Sequence, residues 1–538
     1  MPSSTWSSQA GARVRGYVAI VLHAHLPFVR HPEYEEFLEE RWLYEAITES
    51  YLPLLDVLAG LAADRIPHRL TLSLSPPLLN MLSDPLLQGR YLRHLEKLIA
   101  FSESEVERTR GDAQLHRVAI YNRDLLRRAR RAFVETWEGD LVHGFRRLQE
   151  QGGLQVIACP ATHGYLPMLA EHEPSVRAQI EVGLAEYRRF FGREPQAMWL
   201  PEAGYYEGLD RLLTQHGVRC VILEGHGVLH ARPRPVFALW APIVSPAGMV
   251  AFGRDGEASA QVWSATHGYP GDVDYRDFYR DAGWDLDYEL VRPLLPPTGE
   301  RVAIGVKYHR ITGPSQEKEP YVLEWARAKV EAHATNFVRS RGRQIGWLAS
   351  TMQHPPIVVA PYDAELFGHW WFEGPQWLDV MIRKAAYDQN TFALVTPLDY
   401  LASHPVAQEA TPATSSWGEG GYNAVWLSGE NDWIYRHLDA AGRRMTRLAR
   451  RFRSATGLEL RALNQAAREL LLAQSSDWAF IMSRGTVVSY AVQRTRSHLA
   501  RFDRLASALE TGALEPEWLA EIEARDPIFP AIDYRVYR

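Results

Sequence analysis

Cysteine is nearly absent from this chain: two residues in 538, Cys159 and Cys220, each inside an apolar run. That excludes a disulfide scaffold and predicts two inert buried thiols. Charge of one sign is not in excess either. A formal net charge of −6, from 59 basic and 65 acidic side chains, gives no electrostatic footing for nucleic acid. No apolar run has the length of a membrane span. The first one, Tyr17–Leu22 behind a polar leader, is too short for a secretion signal. A soluble, cytoplasmic protein is the expectation, and a monomer is favoured. Metal ligands at diagnostic spacing are also missing.

Aromatic rings, by contrast, are plentiful. Many of the 17 Trp and 24 Tyr fall beside Gly and Pro, where core packing does not account for them. The length suits one large domain with attachments.

Short apolar runs alternate with long helical patterns. Strands are predicted at Tyr17–Leu22, Leu70–Leu74, Leu154–Ala158, Ala197–Leu200, Val221–Leu223, Val302–Val306 and Ile357–Ala360, with Phe392–Val395 as an eighth. Trp42–Leu61 and Ser175–Phe191 carry apolar residues at helical spacing. The alternation reads as α/β with a parallel sheet, open or closed into a barrel. Asp84–Gln151 lacks any strand signal and reads as a helical insertion. Leu229–Ala247 is Pro-rich and reads as a loop. Ser403–Ser416 marks a boundary, and beyond it Asp432 to the end reads as largely helical.

Two strand ends stand out. Ile357–Pro361 runs into Asp363, Glu365, His369, Trp370 and Trp371; Ala197–Pro201 runs into Glu202, Tyr205 and Tyr206. A carboxylate beside apolar surface has its charged form disfavoured. An acid of that kind next to flat rings suits carbohydrate chemistry. In barrels, functional residues sit where strands end. The plainer reading is that each acid caps the helix after it. His23 and His25, at alternate positions of a strand, point the same way. They offer half a metal site; hydrogen bonding to sugar hydroxyls is the preferred reading, with His163 joining them.

HAHLP, ATHGYLP, WLPEAGYYEG, PYDAELFGHWW and SSDWAF resemble, in order, the five signature regions of glycoside hydrolase family 57. The resemblance covers about residues 16 to 490. It lies nearest the family's 1,4-alpha-glucan branching enzymes, which share the GRD, QVWS, GYPGD and SSWG patterns. It implies an incomplete (β/α)7 barrel (residues 1–83 and 152–402), a helical insertion (84–151) and a C-terminal α-helical domain (403–538) closing a glucan cleft. It implies Glu202 as nucleophile and Asp363 as general acid/base. His23, His163, Arg254, Trp263, Gly271, Trp370, Trp417, Trp426, Asp477 and Thr486 would line the cleft. Phe237 stands where the branching enzymes carry a loop Tyr, which puts the balance of branching against hydrolysis in question. The implied reaction is retaining transglycosylation between α-glucan chains, with no metal or organic cofactor. The rivals are an amylase-type hydrolase, a non-catalytic glucan-binding protein and, resting on His23 and His25, a metal-dependent deacetylase.

Overall fold

The computed structural model describes residues 14–264 and 267–538. Its strands are β1 (Gly16–Ala24), β2 (Leu70–Leu74), β3 (Leu154–Ile157), β4 (Ala197–Met198), β5 (Cys220–Leu223), β6 (Ile243–Val244), β7 (Val250–Gly253), β8 (Ile357–Asp363), β9 (Phe392–Leu394) and β10 (Gln408–Glu409). β8, β1, β2 and β3 pair in parallel in that order. β4, β5 and β7 form a second parallel run. Single parallel bridges, Ala158 to Met198 and Arg254 to Val359, join the runs at both edges. The parallel strands thus follow one another around a ring with two thin seams. β9 adds to the lower half of β1 through Gly16–Val18.

The ring's interior is narrow and apolar. Ala19, Val21, Ile157, Cys159, Trp199, Cys220, Ile222, Phe252, Ile357 and Val359 fill it. Their alternates, such as Val18, Ile20, Leu22, Val358 and Ala360, pack outward against helices. This is the period-two pattern of strands buried on both faces. Both cysteines are free and buried.

Helices Pro85–Arg108, Ala113–Arg131 and Leu141–Gln151 fill the stretch between β2 and β3. Asp84 caps the first through the Leu86 and Leu87 N–H groups, with Pro85 at its first position. Gly152, at φ 88°, ends the last. The chain after residue 432 is helical: Trp433–Arg451, Gly457–Ala473, Ser476–Arg484, Val488–Thr511 and Pro516–Arg525.

Three expectations need correcting. Val302–Val306 is not a strand. Ile304 and Val306 are buried, which produced the apolar pattern. The Ile304 and Gly305 N–H groups donate to the Asp281 carboxylate at 2.8 and 2.9 Å, and Gly305 at φ 81° breaks any ladder. β7 takes that place in the ring. Leu229–Ala247 is not loop throughout. It holds β6, antiparallel to β7, and its Trp240 carbonyl accepts the Ile357 N–H at the start of β8. Finally, Leu38–Ala63 is long and apolar enough to cross a membrane by composition, yet 56% of its most apolar window is buried inside the protein. Leu54, Leu55, Leu58 and Leu61 are spent on the core.

Candidate active site

Strand alternation sets the mouth. Ala19 and Val21 face inward on β1, so His23 does too, and His25 follows beyond the strand end. Ile357 and Val359 face inward on β8, which delivers Asp363 beside His23, its register partner. Glu202 comes just past β4, in the short turn Pro201–Ala203. Neither acid is a helix cap. Asp363 precedes a turn but makes no side-chain cap bond, and the Glu202 carboxylate is engaged elsewhere.

Glu202 sits in left-handed backbone at φ 61° and ψ 22°. Ala203 at φ 50° and His163 at φ 56° do the same. Such conformations cost about 1–3 kcal/mol each and persist where the surroundings over-determine them. Here Trp417 is the clamp. Its backbone N–H donates to the Glu202 carbonyl at 3.0 Å, and its indole N–H donates to Oε2 at 2.9 Å. The Ser476 hydroxyl donates to Oε1 at 3.2 Å. Trp417 is itself positioned by the bridge between Tyr205 and Ser415.

Burial raises both acids, and their neighbours differ. Burial pushes Glu202 up to about 7, while the Trp417 and Ser476 donors favour its charged form. Asp363 is driven well above the usual carboxylate range by burial, then by the charges of Glu365 and Glu202, with Arg254 pulling the other way. Of the pair, Glu202 gives up its proton first and Asp363 keeps it longer. Environments that push two carboxyls apart in this way assign base-like and acid roles.

Three histidines stack beside them. His25 and His163 lie 3.8 Å apart between ring centroids, and His23 lies 4.9 Å from His163. Burial and its two neighbours keep His23 neutral, and burial with His25 does the same for His163. Burial lowers His25, but Asp477, Glu202 and Glu365 outweigh it and raise its pKa. Asp477, although buried, is held below its ordinary value by His25 and His163. His25, His163 and Asp477 are close enough to hold a metal ion. Their ring nitrogens are already committed: His25 to Ser75 and Asp477, and His163 to His23 and Ser476. A set of ligands so engaged fits a hydrogen-bonded wall better than a coordination sphere. His23 Nδ1 and the Trp426 indole nitrogen have no partner among the described residues.

A cavity of about 1030 Å³ opens here. It is lined by Glu202, Asp363, His23, His163, Arg254, Trp263, Gly271, Trp370, Trp417, Trp426 and Asp477. Arg254 pairs with Glu224 at 3.0 Å and lies 5.6 Å over the Trp417 ring. Trp426 stacks on Tyr165 at 4.3 Å. Trp263, 44% exposed, and Trp370, 52% exposed, offer bare ring faces at the rim. Trp370 stacks on Phe278 at 4.2 Å.

Thr486 and Phe237 are not brought to the cavity. The helix carrying Asp477 ends at Gly485, φ 77°, which turns Thr486 outward; Phe480 and Arg484 of that helix line the wall instead. Phe237 stacks on His354 at 6.1 Å, three residues before β8 begins, at the end of the barrel away from the mouth. Sequence reasoning assigned no role to Glu365, Ser476 or Phe278, and gave His25 one only as the neighbour of His23. Glu365 was visible two residues after Asp363, and Ser476 directly before Asp477. Phe278 carried no signal.

Residues 19–342 match the profile of the family described as glycosyl hydrolase family 57. Residues 437–537 match the one described as 1,4-alpha-glucan branching enzyme, C-terminal. The chain is 31% identical to a 1,4-alpha-glucan branching enzyme of Thermococcus kodakarensis, across 96% of this chain and 78% of that protein. Among solved structures it resembles the alpha-amylase AmyC of Thermotoga maritima, with 43% identity, a TM-score of 0.91 and coverage of 97% and 99%. It also resembles a family 57 branching enzyme of Pyrococcus horikoshii, with 32% identity, a TM-score of 0.87 and coverage of 97% of each chain. With a matched profile over most of the barrel and whole-length relatives on both sides of the branching and amylase divide, the chain belongs to glycosyl hydrolase family 57.

Proposed function

We propose that the chain is a 1,4-alpha-glucan branching enzyme acting by retaining transglycosylation. The observation that carries the chemistry is the unequal pair: Glu202 held by two donors, Asp363 crowded by acids. Glu202 attacks the anomeric carbon of an α-1,4-glucan while Asp363 protonates the departing oxygen. The glycosyl-enzyme is then opened by the 6-hydroxyl of a second glucan, whose proton goes to Asp363. Retention requires the two carboxyls to lie roughly 5–5.5 Å apart. The bare rings of Trp263 and Trp370 are platforms for glucose units, and His23, His163, Arg254, Gly271, Trp426 and Asp477 line the donor path. On this reading the barrel comprises 1–83 and 152–402, with 84–151 as insertion and 403–538 closing the cleft, in a cytoplasmic monomer acting on an amylose- or glycogen-like polymer.

The C-terminal profile and the branching-enzyme relatives support transfer over hydrolysis. A second reading, α-amylase, is favoured by two observations: the likeness to AmyC, and the position of Phe237, which leaves the mouth without the loop aromatic expected to shield it. Amylose incubated with the protein, then debranched, decides between them. New α-1,6-linked chains in excess of new reducing ends support branching; reducing ends without new branches support hydrolysis.

A further inference from the structure

The helix beside the mouth is irregular where it meets the Asp363 segment. Ile47–Tyr51 forms a π-helical turn, a distortion frequent at functional sites, although a second one at Ala132–Thr136 lies in the helical insertion. The turn grips the stretch after Asp363 at two places. Glu49 bonds His369 Nδ1 at 2.6 Å and accepts from Arg276 at 3.0 Å. The Tyr51 hydroxyl donates to Glu365 Oε1 at 2.5 Å. The same oxygen accepts the His25 backbone N–H at 3.1 Å. Only glycine fits at 368: its φ is 106°, and an added Cβ would lie 1.7 Å from the Glu49 carbonyl oxygen. Glu365 is therefore not a loose surface acid. It lines the cavity beside Asp363 and is fixed from behind by a helix and from the side by the end of β1.

We propose that Glu365 is a positioning residue: anchored by Tyr51 and His25, it stands as a fixed negative charge beside Asp363 and retains the proton there until the glycosidic oxygen takes it. The proposal rests on Asp363 being the general acid/base. A mere structural anchor would need only an acceptor oxygen, which a glutamine also provides; the charge is what the proposal adds. The groups facing Asp363 are Glu365 from its own turn, Glu202 beyond β4, Arg254 beyond β7 and His23 on β1. Those facing Glu365 are Tyr51, His25 and Asp363; burial raises the Glu365 carboxyl above its ordinary value, and the Tyr51 hydroxyl and His25 are what favour its charged form. Tyr51 stays a donor, because burial and the charges of Glu365 and Asp363 raise its phenol further.

The test is the pH dependence of kcat/KM on amylose for the full chain, Glu365→Gln, Tyr51→Phe and Asp363→Asn. In Glu365→Gln the alkaline limb should move down by roughly one pH unit, the scale of a lost neighbouring charge. Activity above the limb should fall far more than activity below it. Tyr51→Phe removes a donor that favours the charged form of Glu365, so the same limb should move in the same direction by less. An unmoved limb in Glu365→Gln, whatever the activity, overturns the proposal. If that variant does not fold, the Tyr51→Phe limb decides alone. A maltooligosyl fluoride, whose leaving group needs no proton, separates this from the parent reading. Asp363→Asn should lose much more on amylose than on the fluoride. Equal losses on both sink the acid assignment itself, independently of Glu365.

Discussion

Two regions of this molecule bury histidine among carboxylates, and they differ in what surrounds the charge. In the C-terminal helices, His498 bonds Glu469 at 2.6 Å. Arg501 bonds Asp526 at 2.6 Å and Glu469 at 3.3 Å, and Arg494 stands 3.7 Å from Asp526. Glu469, His498 and Asp526 are all completely buried, and each acid has an arginine. At the barrel mouth, Glu202, Asp363, Glu365 and Asp477 share one cavity. The nearby cations are already committed: Arg254 to Glu224, Arg276 to Glu49, Lys318 to Asp277. Buried charge that faces opposite charge holds helices together. Buried acids that, among the described residues, pair with no arginine or lysine, and that face open space and exposed rings, are poised for chemistry.

The comparison is sharpest at Glu202. Glu202→Gln is expected to lower turnover on amylose by roughly three or more orders of magnitude while leaving glucan binding. Substantial remaining turnover, read as new branches plus reducing ends, would end the claim that the mouth is the reactive cluster. The reverse is expected in the helices. Arg501→Met leaves Asp526 and Glu469 under-matched and should cost roughly 3–5 kcal/mol in denaturant unfolding, with kcat of the folded fraction nearly unchanged. A collapse of kcat at unaltered stability would erase the distinction between the two regions.

A finer test concerns proton affinity. Glu202 reacts as the anion, so activity should rise as pH climbs through about 7, the value burial imposes on it. Trp417→Phe removes the indole donor that favours the anion. The proton is then held more tightly, and the acid limb should shift upward by roughly half to one unit. A limb that stays put, or moves down, would show that Trp417 acts only by packing. The smallest effect is expected at Phe237→Tyr. From sequence this change should raise branching over hydrolysis. With Phe237 stacked on His354 at the far end of the barrel, the product ratio should not change, and a clear rise would mean the loop reaches the mouth in solution.

Much of the barrel was legible because strands buried on both faces are written as apolar runs. β1, β2, β3, β5, β8 and β9 lie where those runs predict them. Reading failed where apolar burial and strand hydrogen bonding part company. Val302–Val306 is buried but bonded to the Asp281 side chain. β7 is a real strand only four residues long, hidden behind a Pro-rich segment. β6 and β10 have two residues each, too few for any periodicity. Within the site, residues at strand ends were readable because alternation says where they point. Tyr51 was not, because a π-helical turn shifts the helical register that sequence reading assumes. Ser476 and Trp417 were visible as motif members, but their grip on Glu202 spans 274 and 215 positions, a relation only the fold supplies.

That grip has a consequence for synthesis. A ribosome delivers Glu202 long before Trp417 and later still Ser476, so a nascent barrel carries its reactive carboxylate without either donor. Until Trp417 arrives, the strained backbone has nothing to hold it; until the helix carrying Ser476 docks, the anion lacks its second donor. A polypeptide cut short before Trp417 would therefore be chemically silent even if its strands had closed.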